Sequence, residues 1–200
     1  MRSLEVGGQR SEVRGSEALD KLIAGIALVI VSPFLLGAMI AIRLETPGSP
    51  IFRQRRVGKD GVPFDMYKLR TMVSGSDSGP DLPLSQGDPR ITRVGAWLRR
   101  YSLDELPNLL NVLHGEMAIV GPRPTIPPQV DRYTERQRRR LEVKPGMTGW
   151  AQVNGRVSLS WPERIELDIW YVDHRSLLLD LRILAKTFWL LVSGHGLYSG

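Results

Sequence analysis

Two adjacent acidic residues, Asp104 and Glu105, follow two arginines in the stretch RRYSLDELP. A carboxylate near guanidinium groups stays ionised, so it can bind a hard divalent cation or act as a nucleophile on phosphorus. Because consecutive side chains point in different directions, the two acids can take separate roles. This stretch is therefore a candidate centre for chemistry on a phosphate group.

The same residues also fit a purely structural interpretation. Ser102 and Glu105 match the S-x-x-E capping box, and acidic residues stabilise the first turn of a helix. Pro107 argues against a helix that begins at 103, because proline cannot donate the backbone hydrogen bond to the carbonyl of Leu103. A later helix start would leave both acids in a turn.

Basic residues elsewhere in the chain are placed to bind phosphate. Arg123 stands between two prolines in GPRP, and these fix the backbone and lower the entropy cost of holding its side chain at a ligand. Arg156 ends the turn NGR, and Lys68 lies on the second strand of a predicted hairpin. The run RQRRR at 136–140 is typical of a solvated helix face or of one near anionic headgroups.

The elements that must position these residues predict an α+β fold that is mainly helical. Residues 50–72 predict a β-hairpin around GKDG, and residues 74–89 are rich in Gly, Ser, Asp and Pro, as exposed loops are. Helical patterning predicts helices over 91–100, 103–113, 129–143, 161–173 and 176–192. The last helix is apolar but carries Asp180, Arg182 and Lys186, which favours an amphipathic interfacial helix or a core-packed helix over a membrane span.

One segment is long enough to enter a membrane. Residues 22–42 form 21 residues without a charge, enough to cross a hydrocarbon core of ~30 Å as a helix. Pro33 interrupts the segment at its centre by removing a backbone donor to Val29, and Ser32 can supply a local hydrogen bond there. The segment can be a kinked transmembrane helix, a re-entrant hairpin or a buried core helix, and hydropathy alone favours the first. The basic residues that follow place its C-terminal side in the cytoplasm.

Composition narrows the function classes. The 200 residues contain no cysteine and three histidines without paired spacing, which excludes disulfides and thiolate metal sites and argues against a histidine-built zinc site. The formal net charge is +6, and only five of the 27 basic residues are lysines. This arginine excess favours a partner that bears phosphate, such as a nucleotide, a nucleic acid or an anionic lipid. An arginine-favouring genome is the alternative source of the bias.

Six blocks in one order resemble the bacterial sugar transferases, the monotopic polyprenyl-phosphate phosphoglycosyl transferases. The blocks are PIFRQRRVG, YKLRTM, GDPRITRVG, SLDELPNLLNVLHGEMAIVGPRP, KPGMTGWAQVNGR and ELDIWYV, and the resemblance runs from about residue 17 to the end. One departure is Glu116, where the family commonly has Asp between Gly and Met. The chain also lacks the multi-helix N-terminal region of long-form members, so the short form is the one it resembles.

The resemblance implies transfer of a sugar-1-phosphate from a nucleotide sugar, usually UDP-linked, to polyprenyl phosphate at the cytoplasmic face of the bacterial inner membrane. It implies that Asp104 is the nucleophile and a ligand of Mg²⁺, and that Glu105 completes the catalytic dyad. It also implies that a covalent phosphosugar intermediate forms on Asp104 and that UMP departs before the acceptor attacks. The other implied site residues are Arg123, Arg156, Arg99 and Lys68 as phosphate-binding groups and Asp168 as a supporting polar group.

The resemblance also implies an organisation. An N-terminal tail covers 1–16, a re-entrant helix-break-helix covers 17–43 with its break at Ser32 and Pro33, and a cytoplasmic catalytic domain with interfacial helices covers 44–200. The implied partners are the nucleotide sugar, polyprenyl phosphate and inner-membrane lipids; nucleic acid is not expected, and a homo-oligomer is left open. From the residues alone, a membrane-anchored nucleic-acid-binding protein and a membrane-anchored scaffold stay as alternatives.

Overall fold

The computed structural model describes residues 2–76, 88–155 and 159–193, with side chains described from residue 17 onward. The helices there are α1 (Arg2–Glu45), α2 (Arg93–Arg100), α3 (Asn108–His114), α4 (Pro127–Val130), α5 (Glu135–Arg138), α6 (Trp150–Val153), α7 (Trp161–His174) and α8 (Leu177–Ser193). The strands there are β1 (Ile51–Val57), β2 (Pro63–Leu69), β3 (Ala118–Val120) and β4 (Gly146–Thr148). The predicted mainly helical fold with a small sheet is confirmed.

The predicted hairpin is formed by β1 and β2, which pair antiparallel from Ile51 opposite Leu69 to Val57 opposite Pro63. Its turn contains two residues with positive φ, Asp60 and Gly61, which are residue types that adopt this conformation readily. The other sheet is a short parallel pair of β3 and β4. That pairing brings the GPRP segment after β3 beside the chain that surrounds β4.

Helix α1 runs without interruption through Pro33. The hydroxyl of Ser32 donates to the Val29 carbonyl at 2.9 Å, the carbonyl that Pro33 leaves without a backbone donor. The expected interruption is therefore one of hydrogen bonding and not of helical structure. The backbone of 2–16, predicted to be a tail, continues the same helix, and the domain boundaries stay a prediction.

Both halves of α1 pack against the rest of the protein through one face. In the first half Ala24 is fully buried among Phe64, Leu109 and Met117. In the second half Ile42 is buried in another cluster with Leu98. The opposite face is apolar and exposed, and the part of α1 over 17–45 is long and apolar enough to cross a membrane.

Charged side chains tie both ends of this apolar part to the same globular domain. Near its start, Glu17 forms an ion pair with Lys144 at 2.7 Å. At its end, the Glu45 carboxylate accepts hydrogen bonds from the backbone amides of Arg93 and Val94, at the start of α2. The buried Arg70 guanidinium donates to the carbonyls at 46 and 47, just beyond α1.

Two predicted helices are wrong. The stretch 103–113 is divided into a 3₁₀ turn over Leu103–Glu105 and α3, because Pro107 prevents a continuous helix. The stretch 129–143 is divided into α4, α5 and a 3₁₀ turn over Arg139–Leu141. Here Thr134 begins a new helix with a capping box to Gln137, and a residue that caps a helix start has non-helical backbone angles.

The C-terminal helix α8 packs on the domain, as the core-packed alternative predicts, and its placement at a membrane interface stays a prediction. Leu179 and Ile183 are buried against Tyr171, whereas Phe188 and Trp189 are about 70% exposed. Two of its three charges are partnered: Asp180 accepts a hydrogen bond from Tyr171, and Lys186 donates to the Asn154 side chain. One face therefore packs on the domain, and the other is left apolar.

We expect Gly95→Ala to destabilise the fold. A Cβ on Gly95 would lie 2.1 Å from the Thr71 carbonyl oxygen, so α2 would have to move away from the end of β2, at a cost of about 1–3 kcal/mol. Gly37→Ala in α1 is the control, because a Cβ there meets no atom within 4 Å. Helix propensity favours alanine at both sites. Equal melting temperatures of the two variants in detergent would contradict the close contact.

Candidate active site

The two adjacent acids lie in the 3₁₀ turn between α2 and α3. Ser102 enters this turn with a left-handed backbone (φ 55°) and makes no capping hydrogen bond. Glu105 turns instead toward Lys68 and Arg123. The capping-box interpretation of this sequence is therefore wrong, and the prediction that a late helix start leaves both acids in a turn is confirmed.

The carboxylate of Glu105 is shared by two cations. Its Oε1 accepts hydrogen bonds from Lys68 Nζ at 2.7 Å and from Arg123 Nη2 at 2.8 Å. The side chains of Glu105 and Lys68 are only 21% and 15% exposed. Burial opposes ionisation of Glu105, but the charges of Arg123 and Lys68 outweigh it and hold its pKa well below the usual range. Glu105 is thus a fixed anion.

Asp104 has a different environment from its neighbour. Its pKa is raised because burial disfavours the charged form, although the positive charge of Lys68 opposes the rise. Within the described parts of the chain, its carboxyl group makes no hydrogen bond or ion pair to another side chain. The environment therefore separates the acidities of the two adjacent carboxyl groups, as is typical of acids with different chemical roles.

Lys68 is held at the site by its strand and by the helix that follows the dyad. Strand β2 carries Lys68 opposite Phe52 of β1. Asn111 of α3 is fully buried and binds the edge of the same strand, donating to the Asp65 carbonyl and accepting from the Tyr67 amide. Burial lowers the pKa of Lys68, and the charge of Glu105 opposes that fall.

Arg123 extends from a segment whose backbone is bonded at four consecutive carbonyls. The carbonyl of Pro122 accepts from the Gly146 amide, and that of Thr125 from the Val57 amide. Between them, the Arg123 carbonyl accepts from the Arg140 guanidinium and the Pro124 carbonyl from the Arg56 guanidinium. The Arg123 side chain, 47% exposed, therefore projects from a rigid base.

Sequence comparison finds a family and several relatives that this chain resembles. The family model described as "Bacterial sugar transferase" matches residues 12–194. An uncharacterised sugar transferase of Bacillus subtilis, EpsL, is 48% identical over 84% of this chain and 82% of that protein. The UDP-glucose:undecaprenyl-phosphate glucose-1-phosphate transferase of Caulobacter vibrioides is 46% identical over 84% of this chain and 66% of that protein.

This chain belongs to the bacterial sugar transferase family. Its resemblance to that family, stated from six sequence blocks, is confirmed. The Escherichia coli protein with the same printed activity as the Caulobacter protein is 40% identical over 85% of this chain. The chain spans only 38% of that relative's length.

The structure places the remaining predicted site residues of this sugar transferase in different surroundings. Arg99, in the last turn of α2, donates to the Thr71 hydroxyl at 2.7 Å, and its charge acts on Asp104. Asp168 is buried in α7 and forms an ion pair with Arg140, away from the dyad. Arg156 lies outside the described residues. Each assigned role stays a prediction.

Two site residues were missed by sequence reasoning. Arg56 lies near Arg123, and burial together with the charge of Arg123 lowers the pKa of Arg56 to about 10. Arg140 was assigned to a solvated run but is 3% exposed. Both are bonded to backbone carbonyls far away in the chain, and no local pattern reports such a contact.

The described residues offer few ligands for a metal ion. No group of three or more His, Cys, Asp or Glu side chains that could hold an ion occurs among them. Mg²⁺ is often bound by one or two carboxylates together with water and substrate phosphates. The Asp104 carboxyl has no side-chain partner among the described residues. It therefore fits a Mg²⁺ site completed by water and substrate phosphates, and not a site built by protein ligands alone.

Proposed function

We propose that this protein transfers a sugar-1-phosphate from a UDP-sugar to a polyprenyl phosphate, releasing UMP and starting the assembly of a glycan. The observation that carries the proposal is the geometry of two adjacent acids: Glu105 is bonded to two cations, and Asp104 has no side-chain partner among the described residues. Relatives whose names state glucose-1-phosphate or N-acetylgalactosamine-phosphate transfer to undecaprenyl phosphate support the reaction class.

Asp104 is the proposed nucleophile. A carboxylate oxygen of Asp104 attacks the sugar-bearing phosphorus of the donor, the bond to the bridging oxygen of the diphosphate breaks, and UMP leaves with that oxygen. An oxygen of the acceptor phosphate then attacks the same phosphorus, and the bond to Asp104 breaks. The product is a polyprenyl diphosphate sugar, and the Asp104 carboxylate is regenerated.

The cations around Glu105 supply the electrostatic part of this mechanism. Phosphoryl transfer depends more on positioning and charge neutralisation than on covalent machinery. Arg123 can bind phosphate oxygens while Lys68 continues to neutralise Glu105. Mg²⁺, held by Asp104 and the donor's diphosphate, would supply further charge neutralisation when bound.

The long helix supports the proposed re-entrant topology. Both of its halves pack on one domain, and Glu17 and Glu45 tie its two ends to that same domain. In a helix that crossed the bilayer, the two ends would lie on opposite sides of the membrane and could not both contact one globular domain. We therefore place both ends on the cytoplasmic side, with the exposed Val29 and Ile30 facing lipid and the α8 aromatic residues at the headgroups.

The basic run at 136–140 gives little support to the nucleic-acid alternative. Arg136 pairs with Glu166, Arg139 with Asp173, and the buried Arg140 with Asp168. These carboxylates neutralise most of the charge that a phosphate backbone would need.

The first prediction concerns the nucleophile. With Mg²⁺ and UDP-glucose or UDP-N-acetylgalactosamine but no acceptor, the wild type should gain a phosphosugar adduct on Asp104, seen by intact mass. Asp104→Asn should give no adduct and no turnover while retaining its melting temperature, because the Asp104 carboxyl makes no hydrogen bond or ion pair to another side chain among the described residues. Asp131→Asn, at an exposed aspartate, is the control. Full activity of Asp104→Asn would refute the assignment.

The acid limb of the pH profile of kcat/KM for the donor should report ionisation of Asp104. Glu105→Gln removes a negative charge that raises the pKa of Asp104, so the limb should move to lower pH. Lys68→Met removes a positive charge that lowers it, so the limb should move to higher pH. Both variants should be slow, and only the position of the limb is compared. Shifts in the same direction would contradict the assignment.

Topology can be tested in this cysteine-free chain. Leu19→Cys and Lys59→Cys replace exposed residues on opposite sides of the apolar segment. Both should react with an impermeant maleimide in inverted membrane vesicles and be protected in right-side-out vesicles. If position 19 were protected in inverted vesicles and labelled in right-side-out vesicles, the segment would span the membrane. Pro33→Leu restores a backbone donor to Val29 and should shift the segment toward spanning.

A further inference from the structure

Arg140 is the most deeply buried guanidinium near the proposed site. It is 3% exposed, and its side chain and that of Asp168 are each 2% exposed where they form an ion pair. Burying a charge is costly unless it is paired and fully hydrogen-bonded. Arg140 is bonded to the GPRP segment, and the reaction proposed for Asp104 and Glu105 gives this buried arginine no role.

The guanidinium of Arg140 joins three segments. Nη2 donates to Asp168 Oδ2 of α7 at 2.5 Å and to the carbonyl of Arg123 at 3.0 Å. Nη1 donates to the Tyr133 hydroxyl at 2.5 Å. Tyr133 in turn donates to the Thr125 hydroxyl at 3.1 Å. Arg140 thus contacts the GPRP segment directly at Arg123, and through Tyr133 it also contacts Thr125, the residue that follows this segment.

The geometry of this network is specific for arginine. The planar fork of a guanidinium can donate to several acceptors in fixed directions, whereas an ammonium group is a single compact centre. The fork also stacks near the Trp161 ring, 5.3 Å from its centroid. Asp168 Oδ2 neutralises the fork, and its Oδ1 has no partner among the described residues. Among the described residues Arg140 pairs with no acid other than Asp168, and the same Nη2 also donates to the Arg123 carbonyl.

We propose that Arg140 is a positioning residue that acts through Arg123, fixing its backbone so that its side chain meets the donor's diphosphate. Asp168 serves this role by holding the Arg140 guanidinium in place. The inference rests on the proposed function, because it assigns Arg123 to the donor. It predicts that loss of Arg140 weakens the step that uses the donor and leaves the step that uses the acceptor unchanged.

A double-mutant cycle tests whether Arg140 acts through Arg123. Arg140→Lys should lower kcat/KM for UDP-sugar by about tenfold or more, because a small displacement of a binding group has a large effect on rate. The kcat/KM for polyprenyl phosphate should change less than twofold. In the Arg123→Gln background, Arg140→Lys should have no further effect on the donor step. Independent, multiplicative losses in the cycle would overturn the proposal.

A second comparison separates positioning from stability. Arg140→Met combined with Asp168→Leu removes both buried charges, a change that folds often tolerate better than loss of one partner. If this double variant melts near the wild-type temperature but still loses donor kcat/KM, the positioning role is supported. Wild-type donor kcat/KM in a folded double variant would overturn it. If the double variant unfolds, the cycle with Arg140→Lys decides alone.

Two controls make the outcomes distinguishable. Arg136→Gln removes an arginine from the same run, but its ion pair with Glu166 is exposed, so its kinetics should match the wild type. The affinity of UDP with Mg²⁺ for the wild-type protein and for Arg140→Lys measures binding of the donor's diphosphate without sugar-phosphate transfer, because UDP carries no sugar. Absence of UMP release from the wild type would refute the proposed function, whereas normal release with unchanged Arg140→Lys kinetics would refute only the inference.

Discussion

The carboxylate of Glu105 is the point where three segments of the site meet. It accepts hydrogen bonds from Lys68 on β2 and from Arg123 after β3, while its own backbone forms the turn that carries Asp104. The side chains of Glu105 and Lys68 are mostly removed from water, so each needs the opposite charge of the other to stay ionised. A Glu105 that capped a helix would leave Lys68 without its partner. The ion-pair network and Pro107 therefore both favour this turn over a helix start capped by Ser102 and Glu105.

The same domain must also be held at a fixed place relative to the membrane. Helix α1 contacts it through small and aliphatic residues along one face, such as Ala24 and Ile42, and its other face is apolar and exposed, as a lipid-facing surface would be. Its last acidic residue, Glu45, caps α2, and α2 leads directly into the dyad. The orientation of the membrane segment is thus transmitted to the acids through one short helix. This is the arrangement needed if the acceptor presents its phosphate at the bilayer surface.

Sequence reasoning succeeded where the physical cause was local and failed where it was distant. The turn residues Asp60 and Gly61 specify the hairpin. Pro107 prevents a continuous helix over 103–113 and so leaves the two acids in a turn. Arg140 has the same neighbours in sequence as Arg136 and Arg139, yet only Arg140 is buried. Its partners Arg123 and Asp168 lie 17 and 28 residues away. No periodicity within the run distinguishes it, because its environment is created by tertiary contacts.

The use of two cations for one carboxylate follows from the proposed reaction. If Glu105 had Arg123 as its single partner, a donor diphosphate that attracted Arg123 would leave a largely buried carboxylate without compensation, at a cost of several kcal/mol. Lys68, 15% exposed, stays with Glu105, whereas Arg123 is 47% exposed and can reach a ligand. The carbonyls of Arg123 and Pro124 are already bonded by Arg140 and Arg56, so little further ordering of this backbone is needed when the donor binds. In the proposed reaction, Arg123 would therefore exchange Glu105 for the donor's diphosphate, and Lys68 would still neutralise the Glu105 carboxylate.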